Sequence, residues 1–236
     1  MLRESRLVIV FVLSTFVCLP GLASEFDFAV SSYLGESGFD DSISGACIQS
    51  DGTIVLAGNL GPNVRKKLGL DSPLAGCVIH LDADGRKVLS ARGVAALVND
   101  LAVDGSGNLY VAVDAAGLVK LSPDGASTIW TATPGKVVRV AAGRDGTAAC
   151  IVERTVHIFD AGGKSLGTAA GGQYTCDVCV DSDSKTVIQT GFRNAHAFDG
   201  KKTYPVQIRA IQETPADPRN EKDGPKDGFF AVVGDK

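Results

Sequence analysis

Leu81, Leu121, Phe159 and Phe198 follow one another at separations of 40, 38 and 39 positions, and each closes the same local pattern. The pattern is an apolar segment running into a polar turn, at residues 78–85, 118–125, 156–163 and 195–200. A second one alternates with it, apolar segment, turn, apolar segment, at residues 46–58, 101–113, 140–152 and 178–191. A fixed period of this size constrains a chain more than any single motif. Each unit must be one supersecondary element that buries its faces against its neighbours.

Within a unit the apolar segments have the length of strands, and turns such as Asp51-Gly52 and Asp124-Gly125 suit antiparallel hairpins. That predicts about four strands per unit, the make-up of one β-propeller blade. The predicted class is therefore all-β: a β-propeller over 24–236, with about four complete four-stranded blades. The 28 glycines and single methionine agree with many short strands and tight turns. Residues 228–235 repeat the pattern of residues 52–59, which predicts the start of a fifth blade and an incomplete or truncated ring. Proline and charge over 213–227 predict a mobile loop before it. An open ring exposes strand edges and blade faces, so remaining blades or a partner chain are expected to complete it.

The first unit carries an insertion at 59–76 where later units have a tight hairpin. It is expected to protrude from one face and to offer a place for ligands or partners.

The N-terminus follows a different logic. Arg3 and Arg6 precede an apolar run over 7–19, and Gly21 and Ala23 lead to Ser24. This predicts a signal peptide over 1–23, cleaved before Ser24, with the mature chain secreted or periplasmic. The run is too short to span a bilayer comfortably, so no membrane span is expected after cleavage. The 23 basic and 27 acidic residues give a formal net charge of −4, which supplies no basic field for nucleic acid or an anionic membrane.

Cys176-Asp-Val-Cys179 has the spacing used in metal, redox and haem sites. Haem attachment wants a histidine where Val180 stands, zinc wants a second Cys/His pair, and the redox motif opens a helix where strand is predicted here. Cys47 and Cys179 align with Ala102 and Ala141, and Cys150 with Leu56, Val111 and Ile188, so these three are read as small core side chains. Removal of the leader leaves five cysteines, an odd number that argues against a disulfide framework. His157 and His196 hold equivalent third-strand positions, with His80 shifted by one. Seam packing is the expected role for them, because no carboxylate spacing completes a metal set.

Seven residues before each turn position stand Gly45, Asp100, Arg139 and Asp177. In a propeller these ring one end of the central channel. Asp100, Arg139 and Asp177, with the adjacent Asn99, are the candidate ligand-binding set, and a solvated ring of charges is the alternative.

Tyr33-Leu-Gly-Glu-Ser-Gly-Phe-Asp-Asp41 with Asp51-Gly52 and Ala57-Gly58 resembles the bacterial extracellular β-propeller repeats that carry Tyr-Leu-Gly-Gly and Asp-Asp signatures. Residues 99–110 with 118–125 resemble NHL-type and gluconolactonase-type blades. The resemblance implies a six- or seven-bladed ring. The gluconolactonase likeness further implies a divalent metal held by Glu, Asn and Asp at the strand mouths. Asn99 matches, whereas its equivalents Ser44, Val138 and Cys176 are poor ligands for a hard cation.

Two functional expectations result. The first is a non-enzymatic, exported binding or scaffold module for a protein, glycan or cell-surface component, with no cofactor. The second is a metal-dependent lactonase- or lyase-like hydrolase using the channel mouth, with calcium as the candidate ion.

Overall fold

The chain was analysed as a computed structural model, which describes residues 34–35, 38–70, 76–94, 96–170, 175–181, 187–191, 196–198 and 203–205. The expected signal peptide over 1–23, the loop expected over 213–227 and the expected fifth-unit segment over 228–235 lie outside the described residues.

Four antiparallel sheets follow one another along the chain, each a meander of four consecutive strands. The first holds β1 (Ser42–Ile48), β2 (Ile54–Asn59), β3 (Gly76–Leu81) and β4 (Val88–Gly93), with helix α1 (Pro62–Lys67) between β2 and β3. The second holds β5 (Val98–Val103), β6 (Leu109–Val113), β7 (Gly117–Leu121) and β8 (Thr128–Ala132). Then come β9 (Val137–Ala142), β10 (Ala148–Val152), β11 (Thr155–Phe159) and β12 (Ser165–Ala170). The fourth consists of β13 (Thr175–Val180), β14 (Val187–Gly191), β15 (His196–Phe198) and β16 (Thr203–Pro205). No helix among the described residues is long and apolar enough to cross a membrane.

The sequence period is a register. Leu81 pairs with Ile54, Leu121 with Leu109, Phe159 with Ala148 and Phe198 with Val187, so the four periodic residues hold one position in four sheets. After that position the chain turns through Gly85, Gly125 and Gly163 at φ 67°, 70° and 84°, a region open to glycine because it lacks a Cβ. Each of these glycines donates its N–H to the carbonyl three residues earlier, Asp82, Ser122 and Asp160.

The sheets stack face to face in chain order. β5 packs on β1 and β2, β9 on β5 and β6, and β13 on β9 and β10. Three apolar layers fill the seams: Val55, Ala57 and Val78 meet Leu109, Val111 and Leu121; Tyr110 and Leu118 meet Val140 and Cys150; Ile151 and Ile158 meet Val178 and Val187. Burial on both faces explains why β6 and β10 read as continuous apolar runs instead of alternating ones. At about 1.5–3 kcal/mol per large apolar side chain, these layers supply the main drive for stacking.

Two sets of β-bulges recur. Every first strand skips one residue in its pairing, at Ser44, Asn99, Val138 and Cys176. The outer strand of each of the first three sheets does the same at Leu89, Ile129 and Leu166, which are 51%, 50% and 50% exposed. Bulges twist an edge strand and spoil its ladder, so these blunt the outer edges against pairing with another chain.

The insertion differs from expectation. Instead of protruding, α1 and its flanks lie on the first sheet, where Leu60, Val64, Cys77 and Ile79 form a buried cluster with Leu56, Leu68 and Leu70 packed against it. Proline at the start of the helix and basic residues in its last turn suit the helix ends.

Candidate functional site

The bulge in the first strand falls just before Asp100, Arg139 and Asp177, which brings them to equivalent places in three consecutive sheets. Asp100 and Asp177 make the same local bond, each Oδ1 accepting the N–H of the next residue, Leu101 or Val178, at 2.9 Å. Asp100 also reaches across the seam, where its Oδ2 accepts Val140 N–H at 3.0 Å. Burial pushes the Asp100 carboxyl above the ordinary carboxylate range, opposed by its two backbone hydrogen bonds and the Arg139 charge and reinforced by the Asp177 charge. The charges of Arg139 and Asp177 thus both bear on Asp100, in opposite directions. Arg139 is exposed and donates from Nη1 to Val138 O at 2.9 Å; Asp177 is exposed as well.

Gly45, the fourth equivalent, carries no side chain for a steric reason. A Cβ there would stand 2.7 Å from the Leu101 backbone nitrogen and Cβ, so glycine lets β1 and β5 close up.

Asn99 has a different task from the charged set. Its Nδ2 donates to Val137 O in the next sheet at 2.7 Å. Ser44, at the same bulge position, donates its hydroxyl to the equivalent carbonyl, Val98 O, at 2.8 Å. Asn59 frames the same residue, with Oδ1 accepting Val98 N–H and Nδ2 donating to Val98 O. A polar bulge residue thus ties one sheet to the next. Among the described residues, no three His, Cys, Asp or Glu side chains gather as a metal-ligand group.

The histidines separate. His157 pairs with Cys150 and His196 with Gln189, the same register position. His80 occupies the register of Lys120 instead, and both are buried. His80 Nε2 lies 3.0 Å from Pro123 O, so that nitrogen carries the proton, while Lys120 Nζ donates to Ala161 O at 3.2 Å. Pro123 and Ala161 are equivalent turn residues, two beyond Leu121 and Phe159. His80 and Lys120 make the same seam clasp in two chemistries, each giving an N–H to an equivalent turn carbonyl.

Around Lys120 lies a network that the motif reading missed. Asp104 accepts from Ser106 and Asn108, and the Tyr110 hydroxyl, 3.2 Å from Asp104 Oδ2, donates its one proton to Gly146 O at 2.7 Å in the next sheet. Trp130 stands edge-on to Tyr110 at 5.7 Å and donates Nε1–H to Ala161 O. A lysine inside the apolar strand Gly117–Leu121 was the available signal, since a cation there must find a buried partner.

Cys47 and Cys150 pack in the seams as expected, whereas Cys179 is exposed. Cys47, Ala102 and Ala141 face the following sheet. No described sheet follows the fourth.

No family profile matches the chain, and no curated protein matches it. By contrast, 910 solved chains match its structure, so the architecture is widespread and does not select a function. One is the structure of U3-55K, at a TM-score of 0.55 and 13% identity, covering 73% of this chain and 54% of that one. The chain thus spans about half the length of U3-55K, and the likeness is one of fold.

Proposed function

We propose that the chain is an exported binding module of β-propeller type, its four sheets acting as blades, which takes a protein or glycan ligand at the strand-mouth end without chemical change. The observation that carries the reading is the equivalent placement of Asp100, Arg139 and Asp177, each just after the same bulge in three consecutive sheets. Opposite charges at equivalent places in adjacent sheets favour a ligand of mixed charge, and such complementarity acts on encounter rate and specificity more than on raw affinity. The apolar leader over 7–19 supports secretion or a periplasmic location. Blades beyond the fourth, or a partner chain, would stack on the fourth sheet.

Surface plasmon resonance against panels of glycans and extracellular proteins tests this reading. A ligand should emerge whose association slows with salt and whose binding falls at least tenfold when Arg139→Ala and Asp177→Ala are combined. Binding indifferent to that pair would move the site elsewhere. One equivalent of calcium or zinc bound by the parent and lost in Asp177→Ala would replace the reading with the metal-dependent hydrolase.

A further inference from the structure

The structure assigns residues 60–70 the role of an end cap that occupies the place of a preceding blade and confines further stacking to the opposite end of the array. The inference rests on how the sheets stack and is independent of the ligand reading.

The side chains that face a preceding sheet are identified by register. In the second sheet Val111 pairs with Val119, and both belong to the layer shared with the first sheet. The equivalent pair in the first sheet is Leu56 and Ile79. No sheet stands before them among the described residues, yet Ile79 is buried. Leu60 and Val64 cover the pair, with Leu68 and Leu70 against the same cluster. The cap thus presents to the first sheet what a neighbouring sheet presents to the others, a layer of aliphatic side chains.

Chain geometry agrees. Val113 and Gly117 pair across a three-residue connection and Val152 and Thr155 across two residues, whereas Asn59 and Gly76 pair across the 16 residues 60–75. Strands already in hairpin register need no such excursion, so its length serves the sheet face. Asp41, just before β1, anchors it by accepting Gly61 N–H at 2.6 Å, and Leu70 N–H returns to Arg65 O at 2.9 Å. At the other end Cys179, whose equivalents Cys47, Ala102 and Ala141 face the following sheet, is exposed. Among the described residues the array is capped before its first sheet and not after its fourth.

The test replaces residues 60–75 by Asn-Gly in the full chain and compares its light-scattering mass with the parent's across a hundredfold concentration range. With the parent's β circular dichroism retained, the variant should show an added, concentration-dependent association step. A mass identical to the parent's at every concentration would overturn the inference. If the β spectrum is lost, Val64→Asp decides by maleimide labelling. Cys77, buried under the cap, should then react at least tenfold faster than in the parent while Cys150, in the next seam but one, stays protected. Unchanged protection of Cys77, or exposure of both thiols together, would overturn it.

Discussion

Lys120 Nζ lies 3.3 Å from Asp104 Oδ2, with side-chain exposures of 5% and 2%. The ammonium also sits 4.9 Å from the centre of the Tyr110 ring. A buried ion pair returns little against its own desolvation, but losing one partner strands the other charge. Lys120→Met should therefore destabilise the fold by about 3 kcal/mol. Adding Asp104→Asn should cost much less than the two single changes summed. Urea unfolding followed by Trp130, the chain's single tryptophan and part of the same seam, measures both. Additive costs would mean that the two residues act separately.

Asp104 also sets an acid limit. Burial alone would raise its pKa, yet hydrogen bonds from Asn108 and Ser106 and the Lys120 charge hold it below the ordinary carboxylate range. Asp82 is lowered in the same direction by the Lys87 and Arg86 backbone N–H groups. A depressed folded-state pKa contributes stability that is present above the unfolded value of about 3.9 and lost as pH falls through the folded one. The Asp104 contribution to the melting temperature should therefore be full above about pH 5 and fall away below about pH 4. Asp104→Asn should make that drop shallower, and an identical acid limb in the variant would remove Asp104 from the account.

Leu81, Leu121, Phe159 and Phe198 were legible as a period because hairpin register and chain period are one quantity in a repeated meander. The residues after the bulge were legible for the same reason. What Asn99 does was not: a bulge turns its residue toward the neighbouring sheet, and no linear pattern distinguishes an amide facing a cation from one facing Val137 O. The packing of residues 60–70 was not legible either: an insertion's length shows that a hairpin is interrupted, while the side its leucines take depends on which sheet face lacks a neighbour. Cys179 followed the reverse logic, apolar by alignment with Ala102 and Ala141 yet exposed on the last of the described sheets.

Asp100 and Asp177 look alike in sequence but differ in what they support. Asp100→Ala deprives Val140 N–H of its acceptor across a seam and should cost about 1–3 kcal/mol. Asp177 is exposed and bonds its own next residue, so Asp177→Ala should stay within about 0.5 kcal/mol of the parent. Thermal unfolding of the two variants side by side checks this, and equal costs would show that the cross-seam bond is not what distinguishes them.

The cysteines give a chemical map of the same stack. Thiolate is the reactive form, and burial pushes the Cys77 thiol up to about 11 and the Cys150 thiol up to about 12. For Cys77 the Asp41 charge adds to burial while the Arg65 charge opposes it. Both side chains are also sterically closed, so neither should take up iodoacetamide at pH 8 on the timescale of minutes. Cys179 is raised as well, by burial first and then by Asp177 and Asp181, but it is exposed and reaches thiolate by ordinary proton loss. Peptide mass spectrometry should find Cys179 modified well before Cys77 and Cys150, with the gap closing only in denaturant. Early modification of Cys150 would mean that the seam between the second and third sheets opens in the native state, and the stacking order argued from Tyr110 and Trp130 would have to be abandoned.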